Sequence, residues 1–360
     1  MTTQPSTSST DSSESTGATA EESRRGITAP RGAAHARISG LGAYRPERIV
    51  YNDELVEAID SSDEWIRERS GITARRRAAP EETVVDMAVE ASRGALAQAG
   101  LRPDQIGAVV LATVTHPYNT PAAATMVAHR LGATPAAAFD ISAACAGFSH
   151  AIAMANDMVR GGSAEHVLVI GVEKLSDFTD LTDRGSAFIF GDGAGAVVVS
   201  PADTPGIGPT VWGSDGEQWD LIRQRRSWLD TRGGPDDEPD AVQRALNMKG
   251  QAVFRWAVWG MAPIAQQALD RAGVKAEDLS AFIPHQANVR IIDSMAKALK
   301  LPAHVPVARD IVDVGNTSAA SIPLAMERML REGQAPHGGL ALLIGFGAGL
   351  SYSAQVVTLP

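Results

Sequence analysis

The single cysteine, Cys145, stands where an apolar run meets small residues, in the order Phe-Asp-Ile-Ser-Ala-Ala-Cys-Ala-Gly-Phe. This pattern predicts a strand that leads into a helix at the cysteine. The backbone N–H groups of a first helical turn have no partner inside the helix, and their partial positive charge favours a thiolate. Cys145 is therefore a candidate nucleophile, although a lone cysteine is often only a small buried hydrophobe.

Two polar clusters in the second half of the chain could supply partners for this thiol. His285 follows a short apolar run and begins the sequence His-Gln-Ala-Asn. Functional side chains gather at the carboxyl ends of strands in open α/β sheets. Asn316 stands in Gly-Asn-Thr-Ser, ahead of an Ala/Ser run. Taken singly, His285 could be a structural hydrogen-bonding residue and Asn316 a helix N-cap.

Two glycine-rich segments could bring backbone N–H groups close to a reacting oxygen. Residues 190–196 have the sequence Phe-Gly-Asp-Gly-Ala-Gly-Ala and precede three valines. A dinucleotide-binding loop requires a helix at that point, so we expect a tight corner between strands and no nucleotide. The second segment, Phe346-Gly347-Ala348-Gly349, lies near the C-terminus, where a strained turn could aim an N–H at an oxyanion.

Residues 62–77 combine one tryptophan with several arginines, which indicates a different kind of binding. Trp65 could stack on a nucleobase, and the arginines could bind phosphate with two hydrogen bonds each. The alternative is a solvated helix face in which Trp65 belongs to the core. The basic run Arg75-Arg76-Arg77 could equally be plain surface.

Two similar stretches indicate how these groups are positioned. Residues 95–110 and 268–283 each contain a helical pattern ending at glycine, a short acidic turn and an apolar strand. The glycines are 173 positions apart, and the same offset places Cys145 on Ser318, at a second predicted strand-to-helix junction. We infer an internal duplication in which the loops of Cys145 and Asn316 face one cavity; chance similarity of two αβ units is the alternative.

The alternation of helices and apolar strands in both halves predicts an α/β fold with largely parallel sheets. Residues 1–35 are rich in Ser, Thr, Glu and Ala, and we expect a disordered tail there because they cannot bury enough apolar surface to fold. The first half then covers residues 36–205 with the cysteine, and the second covers residues 206–360 with the histidine and asparagine. The Pro/Gly-rich stretch 201–209 marks the boundary.

The composition limits the class of protein. The 360 residues are 44% hydrophobic and 21% charged, which suits a globular protein with one large or two ordinary domains. The net charge of −10 disfavours a nucleic-acid partner, and the lack of an apolar run of about 18 residues disfavours a membrane span. One cysteine without metal-ligand spacing predicts a cytoplasmic location and no metal site.

Together these motifs resemble β-ketoacyl-[acyl-carrier-protein] synthase III of the thiolase superfamily. The resemblance covers residues 36–360 and rests on motifs that occur in a fixed order: Asp63-Glu64-Trp65-Ile66, the Cys145 junction, the glycines of 190–195, His285-Gln286-Ala287-Asn288 and Gly315-Asn316-Thr317-Ser318. It implies a thiolase-like, five-layered αβαβα fold with two duplicated halves, working as a homodimer.

The resemblance also implies roles for individual residues. The catalytic triad consists of Cys145, His285 and Asn316, and the oxyanion hole of the backbone N–H groups of Cys145 and Ala348. Ala348 replaces the glycine common in the family, which is acceptable if its backbone angles suit alanine. The coenzyme A contacts fall on Trp65, Arg69 and Arg184. The docking residues for the carrier protein are Arg255, Arg290 and Lys297.

The implied activity is the decarboxylative condensation of an acyl-CoA primer with malonyl-acyl-carrier protein, which initiates fatty acid biosynthesis. Coenzyme A thioester is then a substrate, and no cofactor is expected. The alternative is a related acyltransferase or a polyketide-priming ketosynthase of secondary metabolism. A non-catalytic partner subunit of another synthase is disfavoured, because such subunits tend to lose the nucleophile.

The acyl pocket is expected to include Phe346 and Thr120. In the family, a residue on the loop that contains Tyr118-Asn119-Thr120-Pro121 reaches across the dimer and closes the partner's pocket. If Thr120 takes that position in place of a bulky aromatic residue, the pocket should admit branched or longer primers as well as acetyl.

Overall fold

A computed structural model describes residues 27–28, 30–227, 229–230 and 244–360. Residues 31–360 form one compact unit, and a second unit covers residues 1–30. Of the second unit, only residues 27, 28 and 30 are described, and they lie in neither helix nor strand. The predicted tail, residues 1–35, therefore lies mostly outside the described residues, and the first strand begins at its last residue, His35.

The strands are β1 His35–Tyr44, β2 Arg48–Tyr51, β3 Ala74–Arg77, β4 Ala108–Ala112, β5 Ala137–Ile141, β6 Val167–Lys174, β7 Asp192–Ala202, β8 Val211–Ser214, β9 Ile222–Gln224, β10 Leu246–Met248, β11 Ala281–Pro284, β12 Leu340–Gly347 and β13 Ser351–Thr358. The helices are α1 Asp63–Ser70, α2 Val84–Ala99, α3 Ala123–Leu131, α4 Gly147–Gly161, α5 Gly250–Ala272, α6 Val289–Ala298, α7 Ile311–Val314 and α8 Ser321–Arg331.

Each half of the chain contributes one large sheet. The first has the strand order β1-β7-β6-β4-β5, and the second has the order β11-β12-β13-β8. The pairs β5–β4, β4–β6 and β11–β12 are parallel. The remaining pairs are antiparallel. The sheets are thus mixed rather than largely parallel, because β6–β7 and β12–β13 are joined without the crossover helix that parallel neighbours need.

Five layers follow from the alternation of side chains along the central strands. In β6, Val169 faces a central core shared with α4, α8 and the second sheet, while Ile170 faces an outer core with α2 and α3. In β12, Leu343 faces the same central core, and Leu342 faces α5 and α6. The order is therefore helices, sheet, helices, sheet, helices, which is the αβαβα architecture predicted from the sequence.

The internal similarity is visible in the backbone. Gly100 and Gly273 end α2 and α5 with the same φ of 66° and ψ of 27°. Further along, however, the equivalent positions are Ala144 and Ser318, whose positive φ angles are 43° and 47°. The offset there is one residue longer than 173, so Cys145 corresponds to Ala319 and not to Ser318.

The junction predicted before Ser318 also differs from the one before Cys145. Asp313 and Val314 belong to the four-residue helix α7, and not to a strand. The fifth strand of the second sheet is reduced to one parallel bridge between Phe282 and Val307. Only the Cys145 loop is therefore a true strand-to-helix junction.

The glycines of 190–196 do not form a corner. Gly193 and Gly195 lie within β7, and Phe190 pairs with Asn316 in an isolated bridge. A Cβ atom on Gly195 would come within 2.6 Å of Pro323 in α8. The glycines instead allow α8 to pack closely on β7. Among the described residues, no helix is long and apolar enough to cross a membrane.

Candidate active site

A cavity of about 720 Å³ opens where the N-termini of α4 and α8 converge. Cys145, His285 and Asn316, the three predicted triad residues, all line this cavity, as do Phe346 and Ala348. Its size lies within the range of sites that hold small organic ligands. Residues from both halves of the chain thus meet in one site.

Cys145 lies in the short 3-10 turn Ala144–Ala146 that leads into α4. Burial raises the pKa of its thiol to about 12, and the nearby Glu173 adds to this effect, whereas the neighbouring Ser318 hydroxyl opposes it. A rise of three pKa units corresponds to about 4 kcal/mol, which exceeds the ~1 kcal/mol that a helix N-terminus supplies. Burial therefore opposes the lowering of the thiol pKa that the sequence predicted at this helix N-terminus.

His285 lies directly after β11 and is 2% exposed. Burial lowers the pKa of its imidazole to about 3, so the ring is neutral. Its Nδ1 lies 2.7 Å from Oγ of Ser321, which leaves the Nε2 side of the ring for a ligand. The Phe346 ring packs against it in a T-shaped arrangement, with the ring centroids 5.4 Å apart.

Asn316 is fixed between the two halves by its backbone and side chain. Its N–H donates to the carbonyl of Ile189, and its carbonyl accepts from Gly191. The side-chain Oδ1 accepts a hydrogen bond of 2.9 Å from the N–H of Ser318. The amide NH₂ is therefore the end of Asn316 that a ligand can use. Asn316 is not a helix N-cap: it precedes Thr317, the N-cap of the short turn Ser318–Ala320, and α8 begins after Ala320.

The end of β12 forms the wall of the cavity beside Cys145. Gly347 and Ala348 line the cavity here. The non-glycine residues with positive φ in the described chain are Asp60, Ala144, Lys300 and Ser318, so the backbone of Ala348 is one that alanine adopts readily. The replacement of glycine by alanine at this position therefore causes no strain.

The predicted coenzyme A residues gather at one side of the cavity around Trp65. Ser62 caps α1 by accepting from the N–H of Trp65 at 3.1 Å. The indole ring packs edge-on against Phe188, with centroids 5.4 Å apart. The guanidinium groups of Arg69 and Arg184 lie 5.3 Å and 5.0 Å from the indole centroid. Trp65 and Arg69 line the cavity, and Arg184 joins them by stacking on Trp65.

The predicted docking residues lie on α5 and α6. Arg255 and Arg290 are exposed and also line the cavity. Arg290 lies over the ring of Phe254 at 5.1 Å from its centroid. Lys297 is exposed two turns further along α6, on the same face as Arg290 but outside the cavity.

Thr120 lies on an exposed loop after β4 and does not line the cavity of this chain. The role expected for Thr120 concerns the pocket of a partner subunit, so it stays a prediction. Among the described residues, no cluster of three or more His, Cys, Asp or Glu could hold a metal ion.

Two buried polar residues next to the cavity escaped the sequence analysis. Glu173 is the penultimate residue of the strand β6, follows an apolar run and is 0% exposed. Ser321 begins α8 and contacts His285. A carboxylate at the end of an otherwise apolar strand is a signal that could have singled out Glu173. Ser321 stands in a run of small residues that gives no such signal.

A half-buried thiol, a neutral imidazole and an amide at one cavity of an αβαβα fold define a condensing enzyme of the thiolase-fold class. Two family models match the chain: 3-oxoacyl-[acyl-carrier-protein (ACP)] synthase III over residues 139–216, and its C-terminal counterpart over residues 269–359. The chain belongs to the β-ketoacyl-[acyl-carrier-protein] synthase III family.

Individual relatives support this assignment. β-Ketoacyl-[acyl-carrier-protein] synthase III 1 of Streptomyces coelicolor is 62% identical over 340 residues, covering 93% of this chain and 99% of the relative. The crystal structure of the priming β-ketosynthase from the R1128 polyketide pathway is 49% identical, with a TM-score of 0.89 over 93% of this chain and 99% of that one. The synthase III of Aquifex aeolicus is 39% identical, with a TM-score of 0.81 over 90% and 99%.

Proposed function

We propose that this enzyme condenses an acyl-CoA primer with malonyl-acyl-carrier protein, releasing CO₂ and coenzyme A and initiating fatty acid synthesis. The observation that carries the proposal is the meeting of Cys145, His285 and Asn316 at one cavity with an aromatic and cationic rim. The curated relative from Streptomyces coelicolor is named for this activity.

In the first half-reaction, Cys145 attacks the thioester carbonyl of the primer and coenzyme A leaves. The backbone N–H groups of Cys145 and Ala348 hold the oxyanion of the tetrahedral intermediate. Trp65 stacks on the adenine, and the guanidinium groups of Arg69 and Arg184 bind phosphate. The exposed cations beside the indole ring support this assignment.

In the second half-reaction, malonyl-carrier protein takes the place of coenzyme A and loses CO₂. The charge that develops on the thioester oxygen is stabilised by N–H donors from His285 and Asn316. Both residues use their other polar atom within the protein, which leaves an N–H for the substrate. One such donor is typically worth ~3–4 kcal/mol. The resulting carbanion attacks the acyl-Cys145 carbonyl.

The carrier protein docks on the exposed cations Arg255, Arg290 and Lys297, which suit an acidic partner. The enzyme works in the cytoplasm as a homodimer and without a cofactor. The edge of β5 supports the dimer: β5 pairs only with β4 among the described strands, and an open edge can pair with a second copy.

The proposal is tested by weighing the intact protein after incubation with acyl-CoA. The wild type should gain the mass of one acyl group, and Cys145→Ser should gain none. Asn316→Asp should still become acylated but should lose decarboxylation of malonyl-carrier protein. Acylation of Cys145→Ser would contradict the nucleophile, and equal loss of both half-reactions in Asn316→Asp would contradict the division of roles.

A second candidate is the priming of polyketide synthesis with the same chemistry. The observation that favours it is the likeness to the R1128 priming ketosynthase, at 49% identity. The two candidates differ in the carrier protein, so the malonyl form of a fatty-acid carrier and that of a polyketide carrier should be compared as second substrates. A higher kcat/KM with the fatty-acid carrier is expected.

A further inference from the structure

His285 is held in place by contacts from two other elements. Its backbone N–H donates to the carbonyl of Ile344 in β12 at 2.7 Å, and its ring meets Phe346 in a T-shaped contact. Its Nδ1 lies 2.7 Å from Oγ of Ser321, the first residue of α8. His285 is 2% exposed and Ser321 is 1% exposed. Bulk water therefore does not compete for the hydrogen bond between the imidazole and the hydroxyl group.

The direction of this hydrogen bond follows from the other contacts of the same hydroxyl group. A hydroxyl group has one proton to donate and two lone pairs. The backbone N–H of Gln286 donates to Oγ of Ser321 at 3.3 Å. The carbonyl of Thr317, four residues before Ser321, accepts from the N–H of Ala320. Among the described residues, Nδ1 of His285 is thus the one acceptor that the proton of the Ser321 hydroxyl reaches.

The opposite direction would leave a buried proton without a partner. If Nδ1 of His285 carried the ring proton, it would donate to an oxygen that already accepts from Gln286. The proton of the Ser321 hydroxyl would then have no acceptor in the described part of the chain. A buried donor without an acceptor is costly, and this cost favours the first direction by roughly 10- to 100-fold. The partial positive charge at the N-terminus of α8 acts in the same sense, because it favours a lone pair on the nitrogen beside it.

The imidazole is neutral while these contacts act on it. Burial lowers the pKa of His285 to about 3, so the ring carries a single proton at neutral pH. Because the hydrogen bond of one ring nitrogen decides where the proton lies, a lone pair on Nδ1 requires the proton on Nε2. Nε2 is also the nitrogen that is left for the cavity, which His285 lines.

We propose that Ser321 is a positioning residue that holds His285 in the tautomer protonated on Nε2, so that the imidazole meets the substrate as a hydrogen-bond donor. The inference deepens the proposed function and rests on it for the step that needs this donor, the decarboxylation of malonyl-carrier protein. Negative charge develops on the thioester oxygen in that step, and an N–H group aimed at this oxygen stabilises it. The other tautomer would turn a lone pair toward the same oxygen and repel it.

The two half-reactions differ in how much they depend on this tautomer. In the proposed first half-reaction, the oxyanion is held by the backbone N–H groups of Cys145 and Ala348, which have no tautomers. In the second, the charge is held by side-chain donors, and His285 is one of the two. Loss of the Ser321 hydroxyl should therefore affect decarboxylation more than self-acylation.

The tautomer of His285 can be measured directly in the full-length protein. In protein labelled with ¹⁵N-histidine, protonated and unprotonated ring nitrogens have different chemical shifts, and His285→Ala identifies the signals of this ring. At about pH 7, the wild type should show a proton on Nε2 and none on Nδ1. Ser321→Ala should show a mixture of the two tautomers, because no hydroxyl group then donates to Nδ1.

The rates of the two half-reactions provide the functional test. Ser321→Ala should slow the decarboxylation of malonyl-carrier protein by about 10-fold or more, because the ring loses its fixed orientation and its tautomer. Its rate of acyl mass gain from acyl-CoA should be nearly unchanged. Ser321→Thr keeps a hydroxyl group and should restore both decarboxylation and the tautomer.

Ser149→Ala is the matched control. Ser149 lies in the first turn of α4 and is 0% exposed, and its hydroxyl group has no hydrogen-bond partner among the described residues. Removal of this hydroxyl group should change neither half-reaction and should leave the tautomer of His285 as it is in the wild type.

The proposal is overturned by any one of three results: a wild-type ring with its proton on Nδ1, a wild-type tautomer in Ser321→Ala, or an equal loss of both half-reactions in Ser321→Ala. Equal losses are what a purely structural role would produce. If Ser321→Ala does not fold, Ser321→Gly removes the same hydroxyl group and is judged by the same results. The spectra need neither coenzyme A nor a carrier protein, so their outcome is independent of the proposed function, which instead fails if the wild type gains no acyl mass from acyl-CoA.

Discussion

Gly347 passes so close to Cys145 that a Cβ atom on the glycine would lie 2.8 Å from the Cβ of the cysteine and 3.0 Å from its Sγ. The last residue of β12 therefore presses against the nucleophile itself. The contact fixes where the thiol can lie relative to Ala348, the next residue. Space, rather than backbone conformation, requires glycine at this position, because Gly347 does not have a positive φ.

We expect Gly347→Ala to fold and to lose most of its self-acylation. The added methyl group must displace the sulfur from its place beside Gly347, and misplacement by about 1 Å costs on the order of 10²-fold in rate. The measurement is the rate of acyl mass gain with acyl-CoA. Gly260→Ala is the matched control, because a Cβ there meets nothing within 4 Å. Equal rates in the two variants would show that the contact has no role.

Replacement of Trp65 by alanine should weaken acyl-CoA binding without affecting the carrier substrate. The indole ring supports both arginine side chains and offers the stacking surface, and base–aromatic stacking is worth ~1–3 kcal/mol. We expect KM for acyl-CoA to rise about 10-fold or more, with KM for malonyl-carrier protein unchanged. Trp259→Ala removes a tryptophan that is 78% exposed and outside the cavity, and it should change neither constant.

Charge reversal at Arg290 should weaken binding of the carrier substrate and leave acyl-CoA binding unaffected. An exposed cation at an interface changes association with an acidic partner, and this effect is screened by salt. Arg290→Glu should raise KM for malonyl-carrier protein several-fold at low ionic strength and less at high ionic strength. Arg93→Glu, on α2, is the matched surface control. A parallel rise in KM for acyl-CoA would remove Arg290 from the docking surface.

The two duplicated α/β halves could be predicted from the sequence because the repeated pattern is local, whereas the five layers were implied by the family resemblance. The helix, the glycine and the buried strand around Gly100 recur around Gly273, and each unit can be recognised without tertiary information. The offset between the two halves changes by one residue at Ser318, and this change could not be predicted. It arises where the second half has the short helix α7 and the first half has the strand β5. The loops around Cys145 and Ser318 have the same pattern of small residues, so the sequence does not distinguish them.

The electrostatics of the site were the least predictable part. A helix N-terminus beside Cys145 indicates a lowered pKa, but burial dominates, and burial depends on contacts between the two halves. The hydrogen bonds that Glu173 accepts likewise include one from Ser318, a residue 145 positions away in the chain. The motifs thus identified which side chains meet at the site. The pKa values of these side chains could be judged only from the folded structure.

The loop of Thr120 offers a test of primer selectivity. Thr120→Phe should lower kcat/KM for branched or longer acyl-CoA primers by about 10-fold or more, and should leave acetyl-CoA nearly unaffected, because an aromatic ring would fill the distal pocket of the partner. The measurement is a panel of primers with one carrier protein. Tyr118→Phe, two residues away on the same exposed loop, should leave the preference unchanged. An unaltered preference in Thr120→Phe would place the end of the acyl pocket elsewhere.

The raised pKa of Glu173 predicts how the free energy of unfolding depends on pH. Burial raises the pKa of this carboxyl from 4.5 to about 7, so the native state binds a proton that the unfolded state releases between those values. The contribution of Glu173 to stability is therefore complete below pH 4.5 and is lost as the pH rises through 7, by about 3 kcal/mol. Glu173→Gln has no proton to lose, and its amide can donate to Ser318 where the carboxylate accepted.

The free energies of unfolding of wild type and Glu173→Gln should therefore be nearly equal at about pH 4.5, and at about pH 8 the variant should be more stable by up to about 3 kcal/mol. Urea unfolding at the two pH values measures the difference. Glu165→Gln, at a side chain 78% exposed, should shift stability by a small amount that is the same at both values. A Glu173→Gln variant that is less stable than wild type at pH 8 would mean that burial opposes the carboxylate less strongly than its four hydrogen-bond donors hold it, which are Thr113, Val114, Thr115 and Ser318.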